Sequence, residues 1–220
     1  MIRILYEDNH VLCVEKPVNI PVQADSTNDT DMLEICKTYI KKKYNKPGNV
    51  WLGLVHRLDR PVGGCMVFAK TSKAASRLSE SVRTHKLEKE YFAVVEGIPK
   101  REGTLEDYLV KDSKNNLVHV TDEAHGKFAR LHYKVLHTKG NLSLVHIHLE
   151  TGRPHQIRVQ FSSRGYPLLN DQRYNKHAKK GQIALWAVRL SFPHPTTKEM
   201  ITVTDLPSDV WNGFEVKNYV

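Results

Sequence analysis

Residues 55–82 read VHRLDRPVGGCMVFAKTSKAASRLSESV, and a charged loop, a strand and a helix follow one another within them. The run CMVFA at 65–69 is short, apolar and β-rich, which predicts a buried strand. Downstream, Ser72 is placed to cap a helix whose Ala75, Leu78 and Val82 recur on one face. Upstream, Pro61-Val62-Gly63-Gly64 has turn chemistry and would leave Asp59 at an exposed strand end.

The pattern extends in both directions. HVLCVEK at 10–16 reads as a short strand closed by Pro17 and the polar stretch ADSTNDTD. A helix is predicted from Asp31, with Glu34 as its capping-box partner and Met32, Ile35, Cys36, Tyr39 and Ile40 at helical spacing. It ends in Lys41, Lys42 and Lys43 before the Pro47-Gly48 break, so the lysines suit the negative helix pole and form a basic edge. Downstream, EYFAVVEG, LHYKVLH, LSLVHIHLE, ALWAVRLSFPHP and EMITVTDL have strand composition, and LSLVHIHLE is apolar enough on both faces to lie inside a sheet. In RPHQIRVQFSSRG, Pro154 sits where a first helical residue belongs and Gly165 where a helix stops. Strands outnumber helices without regular βαβ alternation. The expectation is a single α+β domain over residues 1–220, around a mixed, mainly antiparallel sheet.

The totals narrow the partners. Lys and Arg number 33 against 24 Asp and Glu, a formal charge of +9, and the pI is about 9.4, a balance that favours a polyanion such as nucleic acid. Cys13, Cys36 and Cys65 are far apart and form no CxxC pair, so neither a disulfide framework nor a cysteine zinc site is expected. No leader sequence or membrane-length apolar run stands out, and a cytoplasmic location is expected.

Three segments concentrate polar groups beside structured stretches: HRLDR at 56–60, KEYFAVVEG at 89–97 and TGRPHQIRVQ at 151–160. Asp59 lies between Arg57 and Arg60, cations that would keep it ionised and fit it for nucleophilic or electrostatic work; the plain alternative is charge balance at a solvated turn. Tyr91 is either a core aromatic with its hydroxyl at the rim, or a ring that stacks on a base. Arg153 and Arg158 are either a solvated face or a grip on phosphate or carboxylate. His146 and His148 alternate along a strand and share a side, but no third metal ligand accompanies them. GxGxxG, GxxxxGK[ST] and GxSxG are absent.

These three segments, in this order and spacing, resemble the three sequence blocks of the RluA-type pseudouridine synthases. ILYEDNHVLCVEKPVNIPV resembles that family's leading strand pair, GYPLLNDQRY its segment after the third block, and ALWAVRLSFPHPTTKE its closing strands, so the likeness spans nearly the whole chain. The chain departs from the family in having Val62, Gly63 and Gly64 where threonine, serine and glycine are usual. The resemblance implies the pseudouridine synthase fold, a bent sheet with flanking helices and a basic RNA-binding cleft, here without the N-terminal S4 module of many relatives. It implies isomerisation of uridine in rRNA or tRNA, with no cofactor or metal, by a monomer. Asp59 matches the essential aspartate, Tyr91 the tyrosine that stacks on the flipped uracil and helps remove its C5 proton, and Arg158 the basic partner of the aspartate. Arg57 matches an arginine wedged into the space the base leaves, while His56, Arg60, Lys89, Arg153, His155 and Gln156 are expected at the RNA. Two further readings belong to other classes: a catalytically silent RNA-binding module, and a metal-dependent phosphoesterase using His146, His148 and Asp59.

Overall fold

The computed structural model describes residues 2–25, 27–208 and 210–219. In chain order its elements are β1 (Ile4–Glu7), β2 (Val11–Lys16), α1 (Met32–Lys43), β3 (Gly53–Leu54), β4 (Gly63–Ala69) and α2 (Ser72–Arg83). The strands β5 (Glu88–Glu96), β6 (Glu102–Asp112), β7 (Leu117–Thr121), β8 (Lys127–Lys139) and β9 (Leu142–Leu149) follow. Then come α3 (Gln156–Ser162), β10 (Leu185–Pro193), β11 (Met200–Thr204), β12 (Val210–Trp211) and β13 (Phe214–Glu215). The class is α+β, as the strand-rich pattern predicts. The chain forms two compact units, Met1–Glu88 with Ala187–Asp205, and Lys89–Trp186 with Leu206–Val220.

In the first unit β2 pairs antiparallel with β1 and with β4, Val11 opposite Ala69 and Lys16 opposite Gly64, and β10 lies beside β4 and pairs with β11. All seven residues of β4 are buried, because both of its faces are covered; this is why CMVFA shows no alternation. Gly64 has φ +115°, and a Cβ there would lie 2.2 Å from the Ala187 carbonyl oxygen, so only glycine lets β4 approach β10 this closely. Leu78 of α2 packs into the core of Val11, Val67, Leu190 and Phe192.

The starts of α1 and α2 follow their sequence signals with one adjustment. Asp31 caps α1, its carboxylate accepting the Glu34 N–H at 3.0 Å, a bond worth about 1 kcal/mol. Met32, Cys36 and Ile40 form the buried stripe. The cap of α2 is Thr71 rather than Ser72, its hydroxyl accepting the Ala74 N–H at 3.1 Å. Thr71 is extended and Ser72 already helical, which decides between two residues of equal capping chemistry.

In the second unit β9 is central, flanked antiparallel by β5 and β8; β8 continues to β6 and β6 to β7. Tyr91, Ile147 and Tyr133 lie opposite one another across β5, β9 and β8, and the Tyr133 ring meets Phe161 of α3 edge-on at 5.3 Å. Tyr91 therefore stands on the sheet face that carries α3. The helix begins at Gln156, two residues after Pro154, because His155 adopts a left-handed backbone (φ 50°) that ends the approach loop.

Candidate functional site

The HRLDR loop runs from β3 to β4. The turn lies at 59–62, where the Val62 N–H donates to the Asp59 carbonyl at 2.9 Å, so Arg60 and Pro61 are its central residues and Gly63-Gly64 already belong to β4. Beneath it is a residue that sequence reading passed over. Lys16 is completely buried, and its ammonium donates to the carbonyl oxygens of Pro17 (2.9 Å), Arg60 (2.9 Å) and Val62 (2.7 Å). Three N–H groups meet three acceptors, so the loop is held through its backbone rather than through the side chains at 62–64. Burial pulls the Lys16 pKa down to about 7; the nearby Asp59 carboxylate works to raise it and Arg60 to lower it.

The neighbours of Asp59 divide into anchors and exposed groups. Arg60 is tied to the 19–29 segment: its guanidinium donates to the Asn19 carbonyl (3.1 Å), Thr27 hydroxyl (2.9 Å) and Asp25 carboxylate (3.2 Å), and also to Asp29. His56 accepts the Val67 N–H at Nε2 (3.1 Å), which fixes the imidazole on β4 and places its proton on Nδ1 when neutral. Arg57 is exposed and Asp59 half-buried, whereas Leu58 between them is buried, as alternation along an extended segment requires.

In the second unit Tyr91 is buried (6% exposed) near the start of β5, and Lys89 shares its face two residues earlier. Desolvation alone lowers the Lys89 pKa to about 8. Its ammonium stands close to Gly152, where a Cβ would come within 3.3 Å of it. Lys89 thus reaches the loop that enters α3.

That loop is organised by Gln156. Its Oε1 accepts the Thr151 hydroxyl (2.8 Å) and the Arg153 N–H (3.0 Å), and its Nε2 donates to the Arg130 carbonyl (3.1 Å) and Gln160 Oε1 (3.1 Å). The buried amide has both donors and both acceptor positions filled by the chain, the signature of a scaffold residue. Arg153 donates Nε–H to the Phe128 carbonyl at 2.8 Å. One turn into α3, Arg158 is 3% exposed and grips Asp171 at two points, Nε to Oδ2 (2.9 Å) and an Nη to Oδ1 (2.7 Å). The Tyr174 ring lies under its guanidinium at 5.2 Å. The Tyr174 hydroxyl accepts the Val118 N–H (2.8 Å) and is 2.8 Å from His155 Nδ1.

Asp171 and Tyr174 were not singled out from the sequence. The available signal was NDQRY, where an acid and an aromatic follow a loop at helical spacing. His146 and His148 share a face, as read, but His146 Nε2 is 2.7 Å from Glu90 Oε2, and among the described residues no group of three His, Cys, Asp or Glu is placed to hold a metal ion. The phosphoesterase reading therefore has no metal-binding geometry among these residues.

Comparison with known proteins bears on the family and the fold. The family model described as RNA pseudouridylate synthase matches residues 10–163. The ribosomal large subunit pseudouridine synthase D of Zymomonas mobilis is 31% identical over 223 residues, covering 95% of this chain and 70% of the relative. An uncharacterized RNA pseudouridine synthase of Bacillus subtilis, YhcT, is 34% identical over 215 residues with the same coverage of each chain. Among solved structures, human RNA pseudouridylate synthase domain containing 4 superposes with a TM-score of 0.79 at 22% identity, over 93% of this chain and 88% of that one, a likeness of fold.

Proposed function

The chain belongs to the RluA-type RNA pseudouridylate synthase family, and from that premise we propose that it converts particular uridines of ribosomal RNA to pseudouridine through Asp59. Isomerisation of uridine in RNA is the family's activity. The glycosidic bond from N1 to C1′ breaks, the uracil turns, C5 bonds to C1′, and the C5 hydrogen leaves as N1 takes up a proton. No electron pair is gained or lost overall, and no group donor enters, so we propose a reaction without cofactor or metal. Ribosomal RNA is favoured because Zymomonas mobilis and Haemophilus influenzae relatives carry ribosomal large subunit in their names. A cytoplasmic monomer in which residues 1–220 act as one catalytic domain with a basic RNA-binding cleft is part of the same reading.

The observation that carries the assignment to Asp59 is the loop beneath it: a fully buried ammonium and a backbone turn fix the position of a half-buried carboxylate in the segment that matches the family's first block. Asp59 attacks the sugar or removes a sugar proton. Tyr91 stacks on the uracil and assists loss of the C5 hydrogen, while Arg158, preset by Asp171, supplies the fixed positive charge. Arg57, exposed beside Asp59, is the residue for the vacated base position. Lys89, Arg153 and His155 contact RNA. The bonds of Arg60, His56 and Gln156 within the chain favour scaffold roles for these three. Extruding a stacked base costs a few kcal/mol, which stacking and phosphate contacts must offset.

The decisive experiment is Asp59→Asn. RNA binding should persist while tritium release from C5-labelled RNA stops; normal release from this variant would refute the assignment.

A further inference from the structure

The loop that leaves Asp171 carries a charge pattern that neither the core nor the three candidate segments explain. No acidic residue occurs between Asp171 and Glu199, while Arg173, Lys176, Lys179 and Lys180 fall within eight positions. All four are exposed. Two acids that reach this loop are already engaged inside the second unit: the Asp171 carboxylate by Arg158, and Glu96 Oε1 by the Asn175 amide at 2.7 Å.

Hydrogen bonds give the loop a defined shape. Its neck closes where the Ala184 N–H donates to the Leu169 carbonyl (3.0 Å) and the Asn170 amide to the Gln182 carbonyl (3.3 Å). Gln172 ties the two limbs together, its Nε2–H donating to the Lys179 carbonyl at 2.6 Å. Between them the Ala178 N–H donates to the Asn175 carbonyl at 3.1 Å, so Lys176 and His177 are the central residues of a turn. The four steps from 176 to 180 span at most about 14 Å, and three ammonium groups therefore share one loop tip. The side chains of Asn170 and Gln172 and the backbone make these bonds, and the lysine side chains take no part in them.

The same loop is joined to Arg158. Asp171 at its start grips the guanidinium, the Tyr174 ring lies under it, and the Tyr174 hydroxyl is 2.8 Å from His155 Nδ1. A compact loop that presents exposed cations a few residues from groups assigned to RNA has the chemistry of a phosphate contact. We propose that the tip of this loop is a further RNA contact, in which Lys176, Lys179 and Lys180 hold phosphates of the strand that carries the target uridine and add affinity without reading bases. The proposal rests on RNA being the substrate and adds residues outside the three segments HRLDR, KEYFAVVEG and TGRPHQIRVQ. Its occupant is a nucleic acid backbone rather than an acidic protein, because the tip offers only Ala178 among its cations and no apolar core around which a protein interface could form.

The test is binding of fluorescein-labelled dodecauridylate to the full chain across a salt titration. Replacing Lys176, Lys179 and Lys180 by Gln should flatten the slope of log K against log salt by about 2, at about 0.7 for each of three phosphates, and lower affinity near about 0.1 M salt by about tenfold or more. Replacing the same three by Arg, which keeps the charge, should retain slope and affinity. A control in which Lys41, Lys42 and Lys46 become Gln removes the same formal charge from the first unit and should change the slope by no more than about half as much. Thermal melting of the two loop variants should match wild type, because the lysine side chains do not shape the loop. A wild-type slope and affinity in the Gln variant of the loop would overturn the proposal, even if its binding to polyglutamate fell, a result that would mark an acidic protein as the partner. Equal losses in the loop and control Gln variants would overturn it as well, as the effect of bulk charge. Absence of tritium release by the wild-type protein on total cellular RNA would instead strike the proposed function, and the salt titration would still decide on the loop.

Discussion

Arg158 and Asp171 form a two-point ion pair inside the second unit, with the carboxylate completely buried and its Oδ1 also accepting the N–H groups of Arg173 and Tyr174. The acid lies 13 residues beyond the arginine, and both the guanidinium plane and its height over Tyr174 are fixed by this pairing. Asp171→Ala strips a buried guanidinium of both of these charged bonds. It should destabilise the protein by about 3–5 kcal/mol in urea titration, whereas breaking an exposed, solvent-screened pair such as Arg83–Glu80 should leave the urea midpoint nearly unchanged. Tritium release by the folded fraction should fall as well, because the charge assigned to the reaction loses its orientation.

Lys89 connects RNA affinity to pH. Burial holds its pKa near 8, so in the free protein the ammonium loses its proton as pH rises through that value. A phosphate contact requires the charged form. RNA affinity should therefore decline between about pH 7 and 9, and Lys89→Arg, which stays charged, should remove that decline. An anisotropy titration at constant ionic strength checks both; the same pH dependence in wild type and Lys89→Arg would exclude Lys89 from the contact.

Lys16 gives stability its own pH dependence. Its folded pKa, about 7, lies below the ordinary 10.5, so between these values the unfolded chain binds more protons than the folded one. Stability from this group should thus rise as pH climbs from about 7 to about 10.5, by no more than about 1.4 kcal/mol per pH unit. Lys16→Met should abolish that rise and, by stripping three carbonyls of their donor, weaken the Asp59 loop. Urea midpoints from pH 6 to 10, with protease cleavage at residues 57–62, are the measurements.

Glu7 has the opposite sign. Burial raises its pKa, but hydrogen bonds from Lys43, Lys70, Tyr39 and Tyr44 outweigh burial and bring it to about 2. The stability it contributes is complete above about pH 4.5 and is lost as pH falls toward 2. Glu7→Gln should lower stability near neutrality by on the order of 2 kcal/mol and make acid unfolding less steep over that interval. Thermal melts from pH 2 to 6 would register both effects.

What could be read from the sequence follows from what is local. The Asp31 cap, the Met32-Cys36-Ile40 stripe, the interior run LSLVHIHLE and the apolar β4 each announce themselves within a few residues. The strands β6 and β7 give no clear sequence signal, because Glu102–Asp112 buries only Leu105 and Leu109 and mixes charged, polar and apolar residues between them, and its pairing is decided by β8. Glycines at 63 and 64 point the sequence reading to a turn at 61–64, whereas the turn closes at 59–62 and Gly64 is required where β4 passes Ala187. At the candidate site, Asp59, Tyr91 and Arg158 lie within blocks that resemble a known family. Lys16 and Asp171 do not advertise themselves: a lysine ending a strand and an acid in a polar loop look solvated until tertiary structure buries them.

The grip of Lys16 on the carbonyls of 60 and 62 has an evolutionary corollary. An insertion or deletion between those positions would strand a cation in the dry interior, while replacement of the side chains there leaves every anchor in place. The stretch is barred from changing its length but not its side chains at 62 and 63, so the protein can carry Val62 and Gly63 where threonine and serine are usual and still present its acid at the same spot, while Gly64 keeps the glycine that the approach to Ala187 demands.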